Sequence, residues 1–299
     1  MKNSIKISTL GGDLRQIAVI DRLASSYDNI NVWGVRSDLS AEMGGARLCA
    51  DIDEATGGAR VVILPLPSSP DGVTLNCPLY EDGGAPKLTS IARKLPDDCI
   101  VIGGRISESF LKVANERGIK VFDYFESEDF QIKNAYTTAE AALSIAMNTL
   151  DRNIRGSKIA VTGYGRIAKH LTSLLLALGA EVTVAARRAS DLSWAQSYGC
   201  KAIRISEAPD CLSELRRGYD VIYNTVPYWL FDRDFLLAVD KGTLIVDLAS
   251  APGGVDIRAA RELGANVSWA TSLPGKYAPR SAGELIAECI HNIIGEGFG

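Results

Sequence analysis

Short apolar runs alternate with longer stretches of helical periodicity along the whole chain. In the first half, five runs have the length and composition of buried strands: residues 5–10, 30–35, 60–66, 99–104 and 119–124. Between them, stretches such as 14–26 and 107–117 place apolar residues at helical spacing. Strands that alternate with helices are joined by crossover connections and lie parallel in one sheet. The pattern therefore predicts an α/β fold.

A second series of the same kind begins near residue 157, with strands predicted at 158–162, 181–186, 219–224, 243–248 and 266–269. Before it, residues 137–150 form an Ala-rich stretch without glycine or proline, which favours a helix. Thr137 followed by Glu140 has the spacing of a capping box. This stretch predicts a helix that links two domains.

These elements predict two Rossmann-like, doubly wound parallel-sheet domains with an interdomain cleft. We expect residues 1–135 to form the substrate (catalytic) domain and residues 136–156 to form the linker helix. Residues 157–280 would form the dinucleotide-binding Rossmann domain. A last helix, residues 281–299, carries apolar residues at helical spacing and is expected to cross back to the first domain.

Composition excludes several classes of function. The 299 residues include 36 Asp and Glu against 32 Lys and Arg, a formal net charge of -4, which argues against a nucleic-acid binder that works by bulk positive charge. No apolar run reaches the about 18 residues of a membrane span, and the N-terminus lacks the apolar stretch of a signal peptide. Six cysteines without C-x-x-C spacing predict reduced thiols and a cytoplasmic location. With only two histidines, His170 and His291, we expect no metal site.

The strongest local signal is a G-x-G-x-x-A motif between a predicted strand and a predicted helix. It consists of Gly163, Tyr164, Gly165, Arg166, Ile167 and Ala168. In such a motif the first glycine permits the tight turn, the second lets the backbone approach a pyrophosphate, and the alanine allows close packing. The N-terminus of the helix then offers N–H groups and the positive end of its dipole to phosphates. The motif predicts a dinucleotide site.

The end of the next strand indicates which dinucleotide is bound. NAD sites usually place Asp or Glu there to bond the ribose 2′-hydroxyl. This chain has Arg187 and Arg188 instead, and a guanidinium can bind a 2′-phosphate through two hydrogen bonds. The sequence therefore favours NADP over NAD. The alternative is that both arginines belong to a solvated turn.

Two further strand ends are expected over the cofactor, because ligands of open α/β sheets lie beyond the carboxyl ends of the strands. They are two tetrapeptides of small and polar residues: Asn224, Thr225, Val226 and Pro227, and Asp247, Leu248, Ala249 and Ser250. We expect them to line the nicotinamide ribose and ring. Ordinary capping of the following helices is the alternative explanation.

A loop near the N-terminus also joins a predicted strand to a predicted helix, with the sequence GGDLRQ at residues 11–16. It lacks the G-x-G-x-x-G spacing, so a second dinucleotide is not expected. A helix N-terminus together with Arg15 suits a carboxylate ligand. The alternative is that Asp13 caps the helix and Arg15 is solvated.

Taken in order, these motifs resemble the dipicolinate synthase A-subunit family. The resemblance rests on GGDLRQ, on GYGRIA with GAEVTVAARR, on NTVP, on DLASAPGG and on the tail LPGKYAPRSAGELI at residues 273–286. Their order and spacing match along essentially the whole chain. The layout of that family is similar to that of the 2-hydroxyacid and alanine dehydrogenases.

The resemblance implies an enzyme of a sporulating bacterium, located in the cytoplasm of the mother cell. It implies the formation of dipicolinate (pyridine-2,6-dicarboxylate) from dihydrodipicolinate or 4-hydroxy-tetrahydrodipicolinate, at a branch of the lysine pathway, by a nicotinamide-dependent oxidoreductase acting on a CH–CH donor. It also implies a partner, the smaller, flavoprotein-like B subunit. We further expect a homo-oligomer.

Oxidising a dihydropyridine dicarboxylate requires a hydride acceptor, a proton acceptor and holders for two carboxylates. Residues that follow strands or open helices are candidates for the substrate site: Gly12, Arg15, Gln16, Ser68, Arg105, Arg280 and Ser281. Ser68 begins a polar loop that would cover the substrate, unless it is a plain surface loop. Asp13 and Lys276 are candidates for moving the proton, whereas both histidines are expected to be packing or surface residues.

Two other functions remain open on the sequence alone. The chain would be a non-catalytic, NADP(H)-binding scaffold subunit if the flavoprotein partner performs the redox step. Alternatively, it would be an amino- or imino-acid dehydrogenase like alanine dehydrogenase, because the same fold serves both chemistries.

Overall fold

The computed structural model describes residues 3–81, 83–206 and 211–298. The chain divides into two compact units. The first unit comprises residues 1–134 and 278–299, and the second comprises residues 135–277. No helix in the described part of the chain combines the length and the apolar composition needed to cross a membrane.

The first unit contains a six-stranded parallel sheet with the order β3-β2-β1-β4-β5-β6. Its strands are β1 (Asn3–Leu10), β2 (Tyr27–Trp33), β3 (Arg47–Leu48), β4 (Val61–Ile63), β5 (Ile100–Gly103) and β6 (Lys120–Asp123). Its first four helices are α1 (Leu14–Ala24), α2 (Ile52–Thr56), α3 (Leu88–Lys94) and α4 (Glu108–Glu116).

A long helix, α5 (Glu128–Thr149), passes from the first unit into the second. The second sheet has the order β12-β11-β10-β7-β8-β9, again all parallel. Its strands are β7 (Lys158–Thr162), β8 (Glu181–Ala186), β9 (Lys201–Arg204), β10 (Val221–Asn224), β11 (Leu244–Asp247) and β12 (Val267–Trp269). Its helices are α6 (Arg166–Ala177), α7 (Ala189–Ser197), α8 (Arg233–Ala238), α9 (Ile257–Leu263) and α10 (Leu273–Tyr277). The predicted α/β class with two Rossmann-like sheets is confirmed.

The central strands are apolar on both faces, which explains why they appear in the sequence as continuous apolar runs. In β4, Val61 and Ile63 enter one apolar cluster whereas Val62 enters another, and all three are fully buried. In β10, Tyr223 enters one cluster and Ile222 another. Alternate side chains of a strand point to opposite faces, so each sheet carries an apolar layer on both sides.

Each sheet reverses its strand order once. In the first unit, β2 and β3 extend from one side of β1, and β4 then lies on the other side. In the second unit, β8 and β9 extend from one side of β7, and β10 lies on the other. Such a reversal leaves a crevice at the carboxyl ends of the two central strands. The loops after β1, β4, β7 and β10 are therefore the places to look for ligand sites.

The linker helix starts earlier than the capping-box pattern predicts. Thr137 lies in the middle of α5, which begins at Glu128. The Ser127 hydroxyl accepts a hydrogen bond from the Phe130 N–H at 3.5 Å. The acidic side chains of the first turn interact favourably with the positive end of the helix dipole. Because neither glycine nor proline interrupts residues 128–149, nothing ends the helix before Thr149.

The last helix, α11 (Pro279–Phe298), belongs to the first unit and packs on α1. It begins at a proline, a residue suited to the first helical turn, two residues before the predicted start. The two helices approach each other at Gly283. A Cβ added there would overlap the Arg15 carbonyl oxygen and would lie 2.6 Å from the Ala18 Cβ.

We predict that Gly283→Ala lowers the free energy of unfolding by about 1–3 kcal/mol, because the added methyl forces α11 away from α1. Gly295→Ala is the matched control in the same helix, since a Cβ there meets nothing within 4 Å. It should leave stability unchanged or raise it by up to about 1 kcal/mol, the helix-interior cost of glycine. Urea unfolding of both variants measures the difference, and equal shifts would contradict the packing argument.

Candidate functional site

The glycine motif of the second unit occupies the loop after β7, at the reversal of strand order. Gly163 has φ +84°, a conformation that favours glycine. A Cβ on it would lie 2.6 Å from the Thr225 Oγ1, so the loop after β7 touches the loop after β10. Ala168 is fully buried in the apolar cluster beneath α6. The geometry thus matches the roles predicted for Gly163 and Ala168.

The N-cap residue of α6 is Gly165, which makes no side-chain capping hydrogen bond. A Cβ on Gly165 would meet nothing within 4 Å. By contrast, Asp232 and Asp256 cap α8 and α9 with their carboxylates. Uncapped N–H groups at the positive end of a helix can bind an anionic group.

The other motif residues differ in burial. Tyr164 is buried, and the Lys169 ammonium lies 5.8 Å from the centroid of its ring. Burial raises the pKa of the Tyr164 hydroxyl, and the Asp191 carboxylate adds to the effect, so the phenol is neutral at pH 7. Arg166 is exposed and Ile167 is half-buried.

The two arginines after β8 are not equivalent. Arg188 donates from Nε and Nη2 to the two carboxylate oxygens of Asp191, at 2.8 and 3.1 Å. Arg187 is exposed and makes no hydrogen bond or ion pair with any residue that the structure describes. Both arginines were expected to bind a 2′-phosphate. Because Arg188 is already paired with Asp191, only Arg187 is kept as the candidate.

The polar residues at the ends of β10 and β11 form a buried network. Asn224 and Asp247 are both fully buried. The Asn224 amide donates to Asp247 Oδ1 at 2.7 Å, and Asn224 Oδ1 accepts from the Thr162 hydroxyl at 2.6 Å. Asp247 also accepts from the backbone N–H groups of Ala249 (3.2 Å) and Gly254 (2.9 Å). These side chains hold the loops in place, which differs from the expected direct contact with a nicotinamide.

The remaining residues of the two tetrapeptides range from buried to exposed. The Thr225 hydroxyl donates to the Thr162 carbonyl oxygen at 2.8 Å. Leu248 and Ala249 are buried, whereas Ser250 is exposed. Val226 is half-buried and Pro227 is exposed. Thr162 and Gly254 complete the network and were not predicted from the sequence; a Cβ on Gly254 would overlap the Asn224 Nδ2.

In the first unit, Asp13 and Arg15 are bound to each other. Asp13 is the N-cap residue of α1, and its Oδ1 accepts from the Arg15 N–H at 3.0 Å. The Arg15 guanidinium donates to both Asp13 oxygens, at 3.0 Å from Nε to Oδ1 and 2.7 Å from Nη2 to Oδ2. It also donates to the Leu66 carbonyl oxygen after β4. Asp13 is thus the predicted cap, but Arg15 is buried instead of solvated.

Gly12 and Gln16 complete this loop. Gly12 has φ +104°, and a Cβ on it would overlap the Gln16 Cβ. Gln16 is buried, and its Nε2 has no hydrogen-bond partner among the described residues. The Tyr124 hydroxyl, also buried, likewise has none. Burial raises the pKa of Tyr124, and the nearby Arg15 charge partly opposes the rise.

Ser68 and Arg105 connect the loops after β4 and β5. The fully buried Ser68 hydroxyl donates to the Arg105 carbonyl oxygen at 3.1 Å and accepts from the Ser107 N–H at 3.0 Å. The Ser68 side chain therefore joins two loops, and coverage of a substrate by the loop that begins at Ser68 stays a prediction. Arg105 has φ +51°, its N–H donates to Asp123 at 3.0 Å, and its guanidinium lies 5.4 Å from the Phe125 ring centroid.

The candidates near the C-terminus are exposed. Arg280 pairs with Glu284 one turn along α11, at 3.1 Å and with 84% of its side chain exposed. Ser281 is exposed on the same helix. Lys276 is exposed in α10 and forms no ion pair with a described residue. Lys276 belongs to the second unit, and Arg280 and Ser281 belong to the first.

Both histidines contact tyrosines. His291 Nδ1 lies 3.1 Å from the Tyr27 hydroxyl, and the His170 ring meets the Tyr136 ring edge-on at 5.5 Å between centroids. Within the described residues, no group of three or more His, Cys, Asp or Glu side chains is placed to hold a metal ion.

Known proteins are similar to this chain in both sequence and fold. The family model of the dipicolinate synthase A-subunit N-terminal domain matches residues 6–125. The A subunit of dipicolinate synthase from Bacillus subtilis (strain 168) is 30% identical over 298 residues, which cover 99% of this chain and 98% of the relative. The chain belongs to the dipicolinate synthase A-subunit family. The resemblance stated from the motifs is thereby confirmed.

Solved structures agree with this assignment. The crystal structure of the dipicolinate synthase A chain from Bacillus subtilis matches with a TM-score of 0.84 and 28% identity, covering 99% of this chain and 97% of that one. A transhydrogenase from Sinorhizobium meliloti has the same fold, with a TM-score of 0.63 and 16% identity over 97% of this chain and 92% of its own.

We predict that Gly163→Ala lowers the free energy of unfolding by about 1–3 kcal/mol, because it combines a strained φ with a clash at Thr225. Gly165→Ala should leave stability unchanged, since Gly165 has φ -82° and open space at its Cβ position. Thermal or urea unfolding of the nucleotide-free variants compares the two. A large loss for Gly165→Ala would contradict the open space at its Cβ position.

Proposed function

We propose that this chain is an NADP-dependent dehydrogenase that forms dipicolinate from dihydrodipicolinate or 4-hydroxy-tetrahydrodipicolinate, together with a B subunit, in the mother cell of a sporulating bacterium. The 4-hydroxy compound would first lose water, and the dihydro compound would then lose a hydride and a proton. The product, dipicolinate, is inferred from the name of the family. The observation that carries the proposal is the glycine turn between β7 and α6, in which Gly163 has φ +84° and a Cβ on Gly165 would meet nothing within 4 Å.

The residues of this turn fit a dinucleotide. The uncapped N–H groups of α6 would receive the pyrophosphate, and the space at the Gly165 Cβ position would let it approach the backbone. When bound, the nicotinamide would accept the hydride that a dihydropyridine ring gives up on aromatisation. The buried Asn224–Asp247 pair would keep the loops after β10 and β11 fixed beside it.

In the first unit, the loop around Arg15 is the proposed substrate site. Arg15 is held by Asp13 and by the Leu66 carbonyl oxygen, so its guanidinium keeps one orientation at the reversal of strand order. Arg15 has further donors beyond those two contacts, and the unpartnered Gln16 Nε2 lies one residue along the helix. These donors would hold a carboxylate of the substrate and so orient its ring. Arg105 would hold the second carboxylate.

One observation favours a second function, in which this chain is an NADP(H)-binding scaffold and the B subunit performs the redox step. Asp13 is engaged by Arg15, and both histidines contact tyrosines. The Asp13 carboxylate is therefore committed to positioning Arg15. Lys276 remains the candidate for moving the proton in the dehydrogenase proposal.

A coupled assay distinguishes the two functions. The purified chain would receive freshly generated 4-hydroxy-tetrahydrodipicolinate with NADP in one cuvette and NAD in another, and the B subunit would be added afterwards. We expect nicotinamide reduction and the ultraviolet absorption of dipicolinate before the B subunit is present, with NADP preferred. Product that forms only after the addition would transfer the redox step to the complex and overturn the dehydrogenase proposal for this chain alone.

For the cofactor, we predict that Arg187→Ala weakens NADP binding by about 1–3 kcal/mol, the scale of a charge-assisted hydrogen bond, with NAD little changed. Arg188→Ala is the matched control, because its guanidinium already pairs with Asp191, and it should change NADP affinity far less. Equilibrium titration of both nucleotides measures this. Equal losses for NADP and NAD would reject recognition of the 2′-phosphate by Arg187.

A further inference from the structure

A groove of about 600 Å³ lies on the second unit. It is lined by α6, by α7 and by the glycine loop. The side chains that matter are Tyr164, Lys169, His170, Thr172, Trp194 and Tyr198. A volume of this size is within the usual range of about 300–1,000 Å³ for small-molecule sites. Apart from Tyr164, none of these residues belongs to the sites proposed for the dinucleotide and the substrate.

Two aromatic side chains of the groove are exposed. Trp194 is 58% exposed and Tyr198 is 62% exposed. Their rings stack on each other, with centroids 6.0 Å apart and planes inclined by 20°. Because flat aromatic faces favour offset stacking with other planar rings, this wall suits a planar ligand.

The formally charged side chain among the described lining residues, Lys169, is basic. Lys169 and His170 line the groove, and no Asp or Glu does so among the described residues. Asp191, the acidic residue three positions before Trp194, is paired with Arg188. The Lys169 ammonium lies over the Tyr164 ring, 5.8 Å from its centroid. A ligand with a negative group would therefore be favoured over a neutral or cationic one.

Thr172 supplies an independent observation. It is 98% buried, and its Oγ1 has no hydrogen-bond partner among the described residues. Other helical threonines of this chain satisfy their hydroxyls by donating to the carbonyl oxygen four residues earlier, as Thr149 does at 2.7 Å and Thr56 at 2.8 Å. A buried hydroxyl without a partner costs free energy. Since threonine in a helix has two favoured χ1 rotamers, its hydroxyl is able to turn toward a ligand in the groove.

We propose that this groove is a second ligand site, which binds a planar aromatic carboxylate. Trp194 and Tyr198 would stack on the ring, and Lys169 and Thr172 would bind the carboxylate. Tyr164 belongs both to the groove and to the loop proposed for the pyrophosphate, so the two sites are coupled. Dipicolinate is of this ligand class. Its role here as an end product that modulates nucleotide binding rests on the proposed function.

The test is a titration of the nucleotide-free full chain by calorimetry and by tryptophan fluorescence. The probe is pyridine-2,6-dicarboxylate, and the control is piperidine-2,6-dicarboxylate, which has two carboxylates but no planar ring. We expect the planar probe to bind at least about tenfold more tightly than the saturated one, as stacking requires. Trp194→Ala and Tyr198→Ala should each weaken the planar probe about tenfold, and Thr172→Val should weaken it less.

Matched variants locate the binding. Trp229→Ala removes a similarly exposed tryptophan (53%) that does not line the groove, and it should leave the affinity at the groove unchanged. Arg15→Ala should also leave it unchanged. By linkage, the probe should change NADP affinity by the same factor by which NADP changes probe affinity, and Tyr164→Ala should remove this coupling.

Several results would overturn the proposal. One is equal affinity for the planar and the saturated probe. Another is loss of binding in Arg15→Ala with Trp194→Ala unaffected, which would place the probe in the substrate site alone. A third is a dimer that Trp194→Ala dissociates in sedimentation velocity, which would assign this face to a second copy. Because the titration needs no turnover, failure of the groove and failure of the oxidation assay are distinguishable.

Discussion

The parallel arrangement of the strands is the constraint on which both units depend. Parallel neighbours require crossover connections of one hand, so the chain builds one half of each sheet, returns to the middle and builds the other half. The connection from β3 to β4 makes this return in the first unit and places β4 beside β1, and the connection from β9 to β10 makes it in the second and places β10 beside β7. Each reversal leaves the N-terminus of a helix, α1 or α6, beside the end of a central strand. The glycines at 11, 12 and 163 are placed there because the backbone turns from strand to helix with positive φ.

The same position in the two units is filled in opposite ways. In the second unit the N-terminus of α6 has no side-chain cap among the described residues. In the first unit Asp13 caps α1 and fixes the Arg15 guanidinium. In α1 the Asp13 carboxylate already accepts a hydrogen bond from the first-turn N–H of Arg15. Under the proposed function, this difference would suit one unit to a pyrophosphate and the other to a small carboxylate.

Much of the fold could be predicted because the buried parallel strands are continuous apolar runs that end at turn residues. The glycine motif was also predictable, since its context of strand, turn and helix is local. The start of α5 was missed because Thr137 and Glu140 imitate a capping box inside a helix that Ser127 begins ten residues earlier. The ion pairs of Arg188 with Asp191 and of Arg280 with Glu284 could have been predicted from the sequence, because the acidic residues follow at helical spacing.

The role of Asn224 and Asp247 could not be predicted, because their hydrogen bond joins residues 23 positions apart. Polar residues at the ends of adjacent strands are expected to face a ligand, yet these two are fully buried. A buried carboxylate is costly unless hydrogen bonds compensate it, and Asp247 receives them from Asn224, Ala249 and Gly254. Gly254 is required in this network, because a Cβ at that position would overlap the Asn224 amide nitrogen that donates to Asp247. The polar residues at these two strand ends therefore build a fixed loop.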